Sequence, residues 1–155
     1  MRYFSSMAAM LLLCTSAAVA DHHKGHGDKP GDGKSDDGWV ELFNGKNLNG
    51  WKVAENPETF KVVDGKIIVL GDRAHAFYAG KVGGADFKNF ELKCEVLTKP
   101  NANSGIYFHT KYQEKGWPEA GHEVQVNNSH KDPRKTGGLY GVKDVMNDSP
   151  AEDNK

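Results

Sequence analysis

Short runs that alternate apolar and polar residues dominate the chain after residue 38. The clearest is FELKCEVL, in which every second position is apolar: Phe90, Leu92, Cys94 and Val96. Side chains of a β-strand point to opposite faces in turn, so this pattern predicts a strand with one apolar face. Nowhere does the sequence carry a long apolar stripe at helical spacing. The pattern therefore predicts an all-β fold.

Turn signals separate these runs. Within ETFKVVDGKIIVL, the pair Asp64-Gly65 predicts a two-residue hairpin turn, because glycine tolerates a positive φ. Further strand-like runs are HAFYAGKV, SGIYFHT, HEVQVNN and GGLYGV, and the last clear strand lies near residues 139–142. Short strands at regular spacing with Gly, Asn and Asp turns are typical of an antiparallel sandwich or barrel.

The first 20 residues, MRYFSSMAAMLLLCTSAAVA, predict a secretory signal peptide (residues 1–20). Arg2 supplies the positive start, an apolar run follows, and small residues at Ala18 and Ala20 mark a cleavage site after Ala20. The apolar run is too short to span a membrane. Leu13 stands where a lipoprotein site would have a small residue before Cys14. We therefore expect an exported protein, periplasmic or extracellular, without a membrane anchor.

Residues 21–38, DHHKGHGDKPGDGKSDDG, are predicted to form a disordered linker, because a segment without large apolar side chains buries too little surface to offset its ordering entropy. Its histidines, His22, His23 and His26, could bind a transition metal loosely, but a solubilising spacer is the favoured interpretation. Residues 39–155 form one domain. The polar ending AEDNK follows the last predicted strand, so we expect this domain to be incomplete at its C-terminus.

Charge and cysteine content narrow the range of partners. The chain has 20 Lys and Arg residues against 21 Asp and Glu residues, a formal net charge of −1. This balance does not favour binding to nucleic acid or to an anionic membrane. Only Cys94 remains after cleavage at Ala20, so no disulfide can form within the processed chain.

The strand HEVQVNN raises the main functional question. If Val124 and Val126 pack into the core, Glu123, Gln125 and Asn127 point to the opposite face, about 7 Å apart along the strand. Such a face is either ordinary solvent-exposed surface, where most Glu residues lie, or the floor of a binding site.

Two further polar sets could line the same concave surface. Tyr107 and His109 share one face of SGIYFHT, next to Asn103 and Ser104 in the preceding turn, and Tyr140 follows a Gly-rich bend. Amides hydrogen-bond to hydroxyl groups and aromatic rings stack on the C–H faces of a pyranose, so this combination suits a carbohydrate. A surface histidine is the simpler interpretation of His109 taken alone.

Glu123 is the single carboxylate of this constellation. An ordinary glycosidase needs two carboxylates that flank the scissile bond, whereas Gln125 and Asn127 do not titrate. The residues alone therefore do not support two-carboxylate hydrolysis. A carboxylate held in a cleft can still act as an acid or a base when its surroundings tune its pKa.

Five ordered segments closely resemble the 3-keto-disaccharide hydrolase domain family: LFNGKNLNGW, VVDGKIIVLG, FKNFELKCEVLTKPNANSGIYFHT, HEVQVNN and TGGLYGV. The resemblance covers essentially all of residues 39–140. It implies a concanavalin-like jelly-roll sandwich of two curved antiparallel sheets with a concave sugar-binding face. Family members continue through a tryptophan-centred segment, a further hairpin and a final strand, which this sequence does not contain.

The resemblance also implies a substrate and a reaction. A sugar oxidised at C3 has an acidic hydrogen at C2, which one base can remove before the group at C1 leaves by β-elimination and water adds. By this resemblance, Glu123 is the base or a metal ligand, and His109 is a second base, an enolate stabiliser or a metal ligand. The substrate-binding residues that we predict are Asn103, Ser104, Tyr107, Gln125, Asn127 and Tyr140.

Two functional hypotheses stay open, with a third beside them. The first is an exported hydrolase that acts on 3-keto-disaccharides or other 3-keto-glycosides. The second is a lectin-like carbohydrate-binding module without turnover, because one fold serves both purposes. The third is the product of a broken gene with neither activity. No cofactor is required by the residue spacing, although a divalent cation could stabilise an enolate.

Overall fold

A computed structural model describes residues 10–13 and 38–155. The rest of the predicted signal peptide, and the predicted linker apart from residue 38, lie outside the described residues. Within them the chain is built almost entirely of strands, with two short 3₁₀ turns, Pro57–Thr59 and Val82–Ala85. The predicted all-β class is confirmed. The strands are β1 (Met10–Leu13), β2 (Trp51–Glu55), β3 (Phe60–Val63), β4 (Lys66–Val69), β5 (Ala74–Tyr78), β6 (Glu95–Thr98), β7 (Ser104–Phe108), β8 (His122–Val126), β9 (Arg134–Leu139) and β10 (Lys143–Met146).

These strands form three antiparallel sheets within the described residues. The first has the order β3-β4-β1-β6, the second has the order β10-β9-β8-β7, and the third pairs β2 with β5. The register of β7 and β8 is regular over five pairs, from Ser104 opposite Val126 to Phe108 opposite His122. The second sheet therefore carries the segments SGIYFHT and HEVQVNN side by side.

Strand β1 occupies an interior position in the first sheet. Met10 pairs with Val69 of β4 on one side and with Thr98 of β6 on the other. Part of the predicted signal peptide is thus a central strand of this structure. Cleavage after Ala20 remains a prediction, and it would remove a strand on which both neighbours depend for backbone hydrogen bonds.

The hairpin predicted at Asp64-Gly65 is present. β3 and β4 pair across it, with Val63 opposite Lys66. Asp64 has φ of 49° and Gly65 has φ of 74°. Positive φ at both central residues is what a type I′ turn requires, and Asp-Gly is one of its preferred sequences.

Two strand predictions are wrong in extent. In FELKCEVL only the last three residues are in a strand, because β6 begins at Glu95. The ring of Phe90 instead lies against the rings of Phe87 and Phe108, with centroid distances of 6.0 and 6.3 Å. Near the C-terminus, strand structure continues beyond residue 142, because β10 pairs with β9. The sequence of β10 has few apolar residues and shows no clear alternation.

A small apolar core joins the first and second sheets. Ala102 and Val126 are buried, and partly buried Val69, Val96 and Ile106 pack against them. Because Val126 faces this core, alternation along β8 turns the side chains of residues 123 and 125 to the other face of the sheet.

The polar C-terminal segment is tied to the sheets. Asp153 accepts hydrogen bonds from Thr98 Oγ1, at 2.6 Å, and from Ser129 Oγ. The backbone N–H of Asn154 donates to the carbonyl oxygen of Thr98 at 2.9 Å. This segment therefore has specific contacts with β6 although it forms no strand.

Candidate active site

Tyr107 and Glu123 form the centre of the site. The register of β7 and β8 places the two residues directly opposite each other. Tyr107 Oη donates a hydrogen bond to Glu123 Oε2 at 2.7 Å, and both side chains are half-buried. The face that Glu123 shares with Gln125 is therefore not ordinary solvent-exposed surface.

Gly105 makes room for the carboxylate. A Cβ atom built on Gly105 would lie 2.5 Å from Glu123 Cγ and 2.6 Å from Glu123 Cδ, which is far inside van der Waals contact. The Glu123 side chain therefore lies across the backbone of β7 at this glycine. Any larger residue at position 105 would displace the carboxylate from its bond with Tyr107.

Burial has the largest effect on the Glu123 carboxyl and raises its pKa. The hydrogen bond from Tyr107 lowers this pKa, and the charge of Asp132 raises it again. The pKa of the Tyr107 hydroxyl is also raised, first by burial and then by its bond to Glu123, so the phenol remains a donor. A carboxylate with a raised pKa is a stronger base than an exposed one, which suits proton abstraction.

Three of the predicted substrate-binding residues come together beside this pair. Gln125 is only 2% exposed, and its Nε2 donates to Asn103 Oδ1 at 2.8 Å. Ser104 begins β7 next to Asn103 and is half-buried. Of the three, exposed Asn103 can contact a polar ligand directly. The Gln125 amide is buried against it, and alternation along β7 turns the Ser104 side chain to the face of Ile106.

Asn127 has a different task from the one predicted. Its side chain is fully buried, with 0% exposure. Asn127 Nδ2 donates to the carbonyl oxygens of Asp132 and Arg134, at 3.0 and 2.7 Å, and its Oδ1 accepts from the backbone N–H of His130 at 2.9 Å. The amide thus holds the loop between β8 and β9. Its predicted contact with substrate gains no support from this geometry.

The loop that Asn127 holds brings a second carboxylate into the site. Asp132 Oδ1 accepts a hydrogen bond from the backbone N–H of Arg134 at 2.9 Å, and a guanidinium nitrogen of Arg134 lies 3.7 Å from the same oxygen. The guanidinium also lies 4.6 Å from the ring centroid of Tyr140. The sequence gives no signal for Asp132, because the distance between Asp132 and Glu123 depends on the path of the loop between β8 and β9.

A second wall of the site was not predicted at all. His75 of β5 has its ring edge-on to Tyr107, with a centroid distance of 5.8 Å, and to Trp117, at 5.5 Å. Trp117 is 62% exposed, and the guanidinium of Arg73 lies 5.5 Å from its ring centroid. An exposed tryptophan in the loop KGWPEAG was the one available signal. His75 gave none, because the run HAFYAG shows no polar pattern.

An ion pair supports this second wall. Arg73 Nε and one terminal guanidinium nitrogen donate to the two carboxylate oxygens of Glu55, at 2.9 and 2.8 Å. This bond from Arg73 is the main cause that lowers the pKa of Glu55 to about 2. The pairing of β2 with β5, which sets Glu55 opposite Ala74, brings the two side chains together.

His109 leaves the face predicted for it. It follows the end of β7 with φ of 54°, and this left-handed conformation interrupts the alternation of the strand. Its ring lies against Phe90 and Phe108, with centroid distances of 5.8 and 5.4 Å, and its Nε2 lies 3.3 Å from the carbonyl oxygen of Lys88. No contact in the described chain joins His109 to Glu123, so its catalytic role remains a prediction from the sequence.

Both walls line one open cavity of about 1770 Å³, which also extends along inter-sheet apolar residues such as Ile67, Val69 and Ile106, so only part of this volume lies between the walls. Its lining includes Arg73, His75, Asn103, Ser104, Tyr107, Trp117, Glu123, Gln125, Asp132 and Tyr140. Among residues 10–13 and 38–155, no group of three or more His, Cys, Asp and Glu side chains is placed to hold a metal ion. In the same ranges no helix has the length and apolar character needed to cross a membrane.

Comparison with known proteins gives two matches. A family model described as a 3-keto-alpha-glucoside-1,2-lyase-like domain matches residues 38–155. A curated 3-keto-disaccharide hydrolase of Bacteroides thetaiotaomicron is 33% identical over 79 residues, which is 46% of this chain and 27% of that relative. The chain thus matches little more than a quarter of the relative's length. No solved structure matches the chain.

Proposed function

This chain belongs to the 3-keto-alpha-glucoside-1,2-lyase-like domain family, and we propose that it cleaves 3-keto-glycosides, including 3-keto-disaccharides, by elimination followed by hydration. The observation that carries this proposal is the half-buried Glu123 carboxylate, which Tyr107 orients and whose pKa is raised. The family description names a 1,2-lyase and the relative's name is that of a hydrolase. Elimination across C1 and C2, followed by addition of water, accounts for both.

The reaction begins at C2 of the oxidised sugar. Glu123 takes the C2 proton, the electron pair of the C2–H bond forms a C2–C3 double bond, and the C3 oxygen takes the negative charge. When the C3 carbonyl re-forms, that electron pair moves to C1–C2 and the C1–O bond breaks. Protonated Glu123 can return its proton to the departing oxygen. Water then adds across C1–C2, so the net reaction is hydrolysis.

The surroundings of Glu123 favour this single-base route. Two carboxylates near Glu123 and His75 lie beside arginines: Asp132 beside Arg134, and Glu55, which is bound by Arg73. Arg73 lowers the pKa of Glu55 to about 2, so Glu55 is held ionised and is a poor general acid. Hydrolysis by a pair of carboxylates needs one protonated partner across the bond, whereas the elimination needs only Glu123.

The remaining predictions belong to the same proposal. We assign Asn103 and Tyr140 to contacts with sugar hydroxyls or ring faces, and we give Gln125 and Asn127 positioning roles. The contact of Ser104 with substrate stays a prediction from the sequence. We propose that a carbohydrate is the partner and that the protein works after export, in the periplasm or outside the cell. In the alternative in which Glu123 is a metal ligand and not the base, a divalent cation held there would stabilise the enolate.

The second candidate function is carbohydrate binding without turnover. The observation that favours it is the exposed ring of Trp117 at the mouth of the cleft, which offers a stacking surface. A binding module of this kind would bind a 3-keto sugar and its unoxidised parent and would release no product from either.

Product analysis separates these functions. The protein is incubated with a 3-keto-disaccharide and with the unoxidised parent, with and without a chelator, and reducing-sugar release is measured together with near-ultraviolet absorbance. The proposal predicts cleavage of the keto sugar only, with transient absorbance from the conjugated C1–C2 enone. Binding of both sugars without cleavage would support the binding module. Loss of activity with chelator, restored by a divalent cation, would establish a metal requirement.

A further inference from the structure

His75 and Glu123 contact the same aromatic residue from different sheets. Tyr107 donates its hydroxyl hydrogen to Glu123 at 2.7 Å. The ring of His75 meets the ring of Tyr107 edge-on, with an interplanar angle of 82° and a centroid distance of 5.8 Å. β8 supplies Glu123 and β5 supplies His75. The two groups therefore stand at neighbouring points on the lining of one cleft.

His75 is a cleft donor whose hydrogen-bonding groups are uncommitted within the described residues, as are the Ser104 and Tyr140 hydroxyls, and it is the one of these three whose ring contacts Tyr107. In the described part of the chain, neither ring nitrogen of His75 has a hydrogen-bond partner. Neither nitrogen is among the buried polar atoms that lack a partner, so both are accessible to a ligand. The neighbouring donors are already engaged: Tyr107 with Glu123, Arg73 with Glu55, and Gln125 with Asn103. A ligand in the cleft can therefore take a hydrogen bond from His75 without breaking an existing one.

The elimination proposed above needs such a donor. Removal of the C2 proton places negative charge on the C3 oxygen, and a preorganised donor at that oxygen stabilises the enolate. We propose that His75 donates a hydrogen bond to the C3 carbonyl oxygen and stabilises the enolate while Glu123 removes the C2 proton. This inference rests on the proposed function, and it assigns to His75 the enolate-stabilising role that the sequence suggested for His109.

The charge state of His75 fits this role. Burial lowers the pKa of the imidazole, the carboxylate of Glu55 opposes that effect, and the guanidinium of Arg73 adds to it. The ring is therefore neutral at neutral pH and carries one N–H donor. A neutral donor can share its proton with an enolate oxygen and does not compete for the C2 proton with Glu123.

A purely structural role for His75 makes different predictions. Its ring packs between Tyr107 and Trp117, so it could serve only to hold the aromatic wall together. His75→Phe preserves a ring at this place and removes the nitrogen atoms. His75→Gln preserves an N–H donor and removes the ring. The two variants therefore separate hydrogen bonding from packing.

The test follows proton exchange without cleavage. The probe is the 3-keto derivative of 1,5-anhydroglucitol, which has an acidic C2 hydrogen and no exocyclic leaving group at C1. Wild type, His75→Phe and His75→Gln are each incubated with the probe in D2O, and nuclear magnetic resonance follows deuterium entry at C2. Exchange at C4, the other position next to the ketone, reports the uncatalysed background. His122→Phe is the matched control, since its ring packs against Phe108 at 5.3 Å.

We expect His75→Phe to slow C2 exchange about 10²- to 10³-fold, which is the usual loss for one oxyanion donor. The thermal midpoint of His75→Phe and its Kd for the unoxidised parent sugar should stay close to the wild-type values. His75→Gln should exchange faster than His75→Phe. Exchange by His75→Phe within about threefold of wild type would overturn the assignment of His75. Absence of C2 exchange in wild type itself would instead contradict the proposed function.

Discussion

Tyr107 Oη lies 2.7 Å from Glu123 Oε2, on neighbouring strands whose register sets the two residues face to face. This bond fixes one carboxylate oxygen and opposes the increase in pKa that burial causes at Glu123. The Tyr107 bond thus favours the ionised form of a carboxylate that burial makes more basic than an exposed glutamate. The pair gives the cleft one oriented base.

Removing the Tyr107 hydroxyl should change the pH dependence of the reaction. In Tyr107→Phe the carboxylate loses the bond that favours its ionised form, so the pKa of Glu123 rises further. We expect the acid limb of the kcat/KM profile to move to higher pH, with activity retained at alkaline pH. Tyr112→Phe, on an exposed tyrosine, should leave this limb in place. An unchanged limb in Tyr107→Phe would contradict control of the rate by Glu123.

Trp117 should contribute to affinity more than to chemistry. Its exposed ring can stack on the sugar equally well in the ground state and the transition state, and such uniform binding affects KM. We expect Trp117→Ala to raise KM about 2- to 10-fold with little change in kcat, and Trp117→Phe to have a smaller effect. A large fall in kcat in Trp117→Phe, measured by initial rates, would argue against a stacking role.

Asn127 should matter for stability. Its amide makes three hydrogen bonds to backbone groups of the loop between β8 and β9 in a fully buried position. We expect Asn127→Ala to lower the free energy of unfolding by about 2–4 kcal/mol, because buried backbone groups lose their partners. Urea unfolding measures this change, with exposed Asn89→Ala as the control. Equal midpoints for the two variants would contradict the structural role.

Strand β1 makes the stability of the first sheet depend on the N-terminal segment. β4 and β6 pair with β1 and not with each other. We expect a chain that starts at residue 21 to have a lower thermal midpoint than the full chain, and a peptide of residues 7–16 to restore part of the loss. Identical midpoints would show that the sheet does not depend on β1.

The sequence predicted the elements whose signals are local. The Asp64-Gly65 hairpin follows from turn chemistry, and the Tyr107–Glu123 wall follows from alternation in two neighbouring strands. Burial of Asn127 was beyond such reasoning, because alternation gives the face of a side chain but not the loop that covers it. The conformation of His109, with φ of 54°, likewise has no residue-level signal, since such values are uncommon outside glycine.

The wall that carries His75 and Trp117 could not be predicted for a different reason. It depends on the pairing of β2 with β5 and on the position of a loop more than 35 residues further along the chain. Neither feature leaves a pattern in its own segment. The strand role of Met10–Leu13 was equally hidden, because an apolar run that resembles a signal peptide gives no indication of pairing.

Glu123 as the base of the elimination is tested by comparing Glu123→Gln with wild type on a 3-keto-disaccharide. The amide keeps an oxygen that can accept from Tyr107, but it cannot take the C2 proton at neutral pH. We expect Glu123→Gln to lower kcat about 10²- to 10⁴-fold and to leave the Kd for the sugar nearly unchanged. The exposed control Glu91→Gln should react at the wild-type rate. Turnover by Glu123→Gln within about tenfold of wild type would contradict the role of Glu123 as the base.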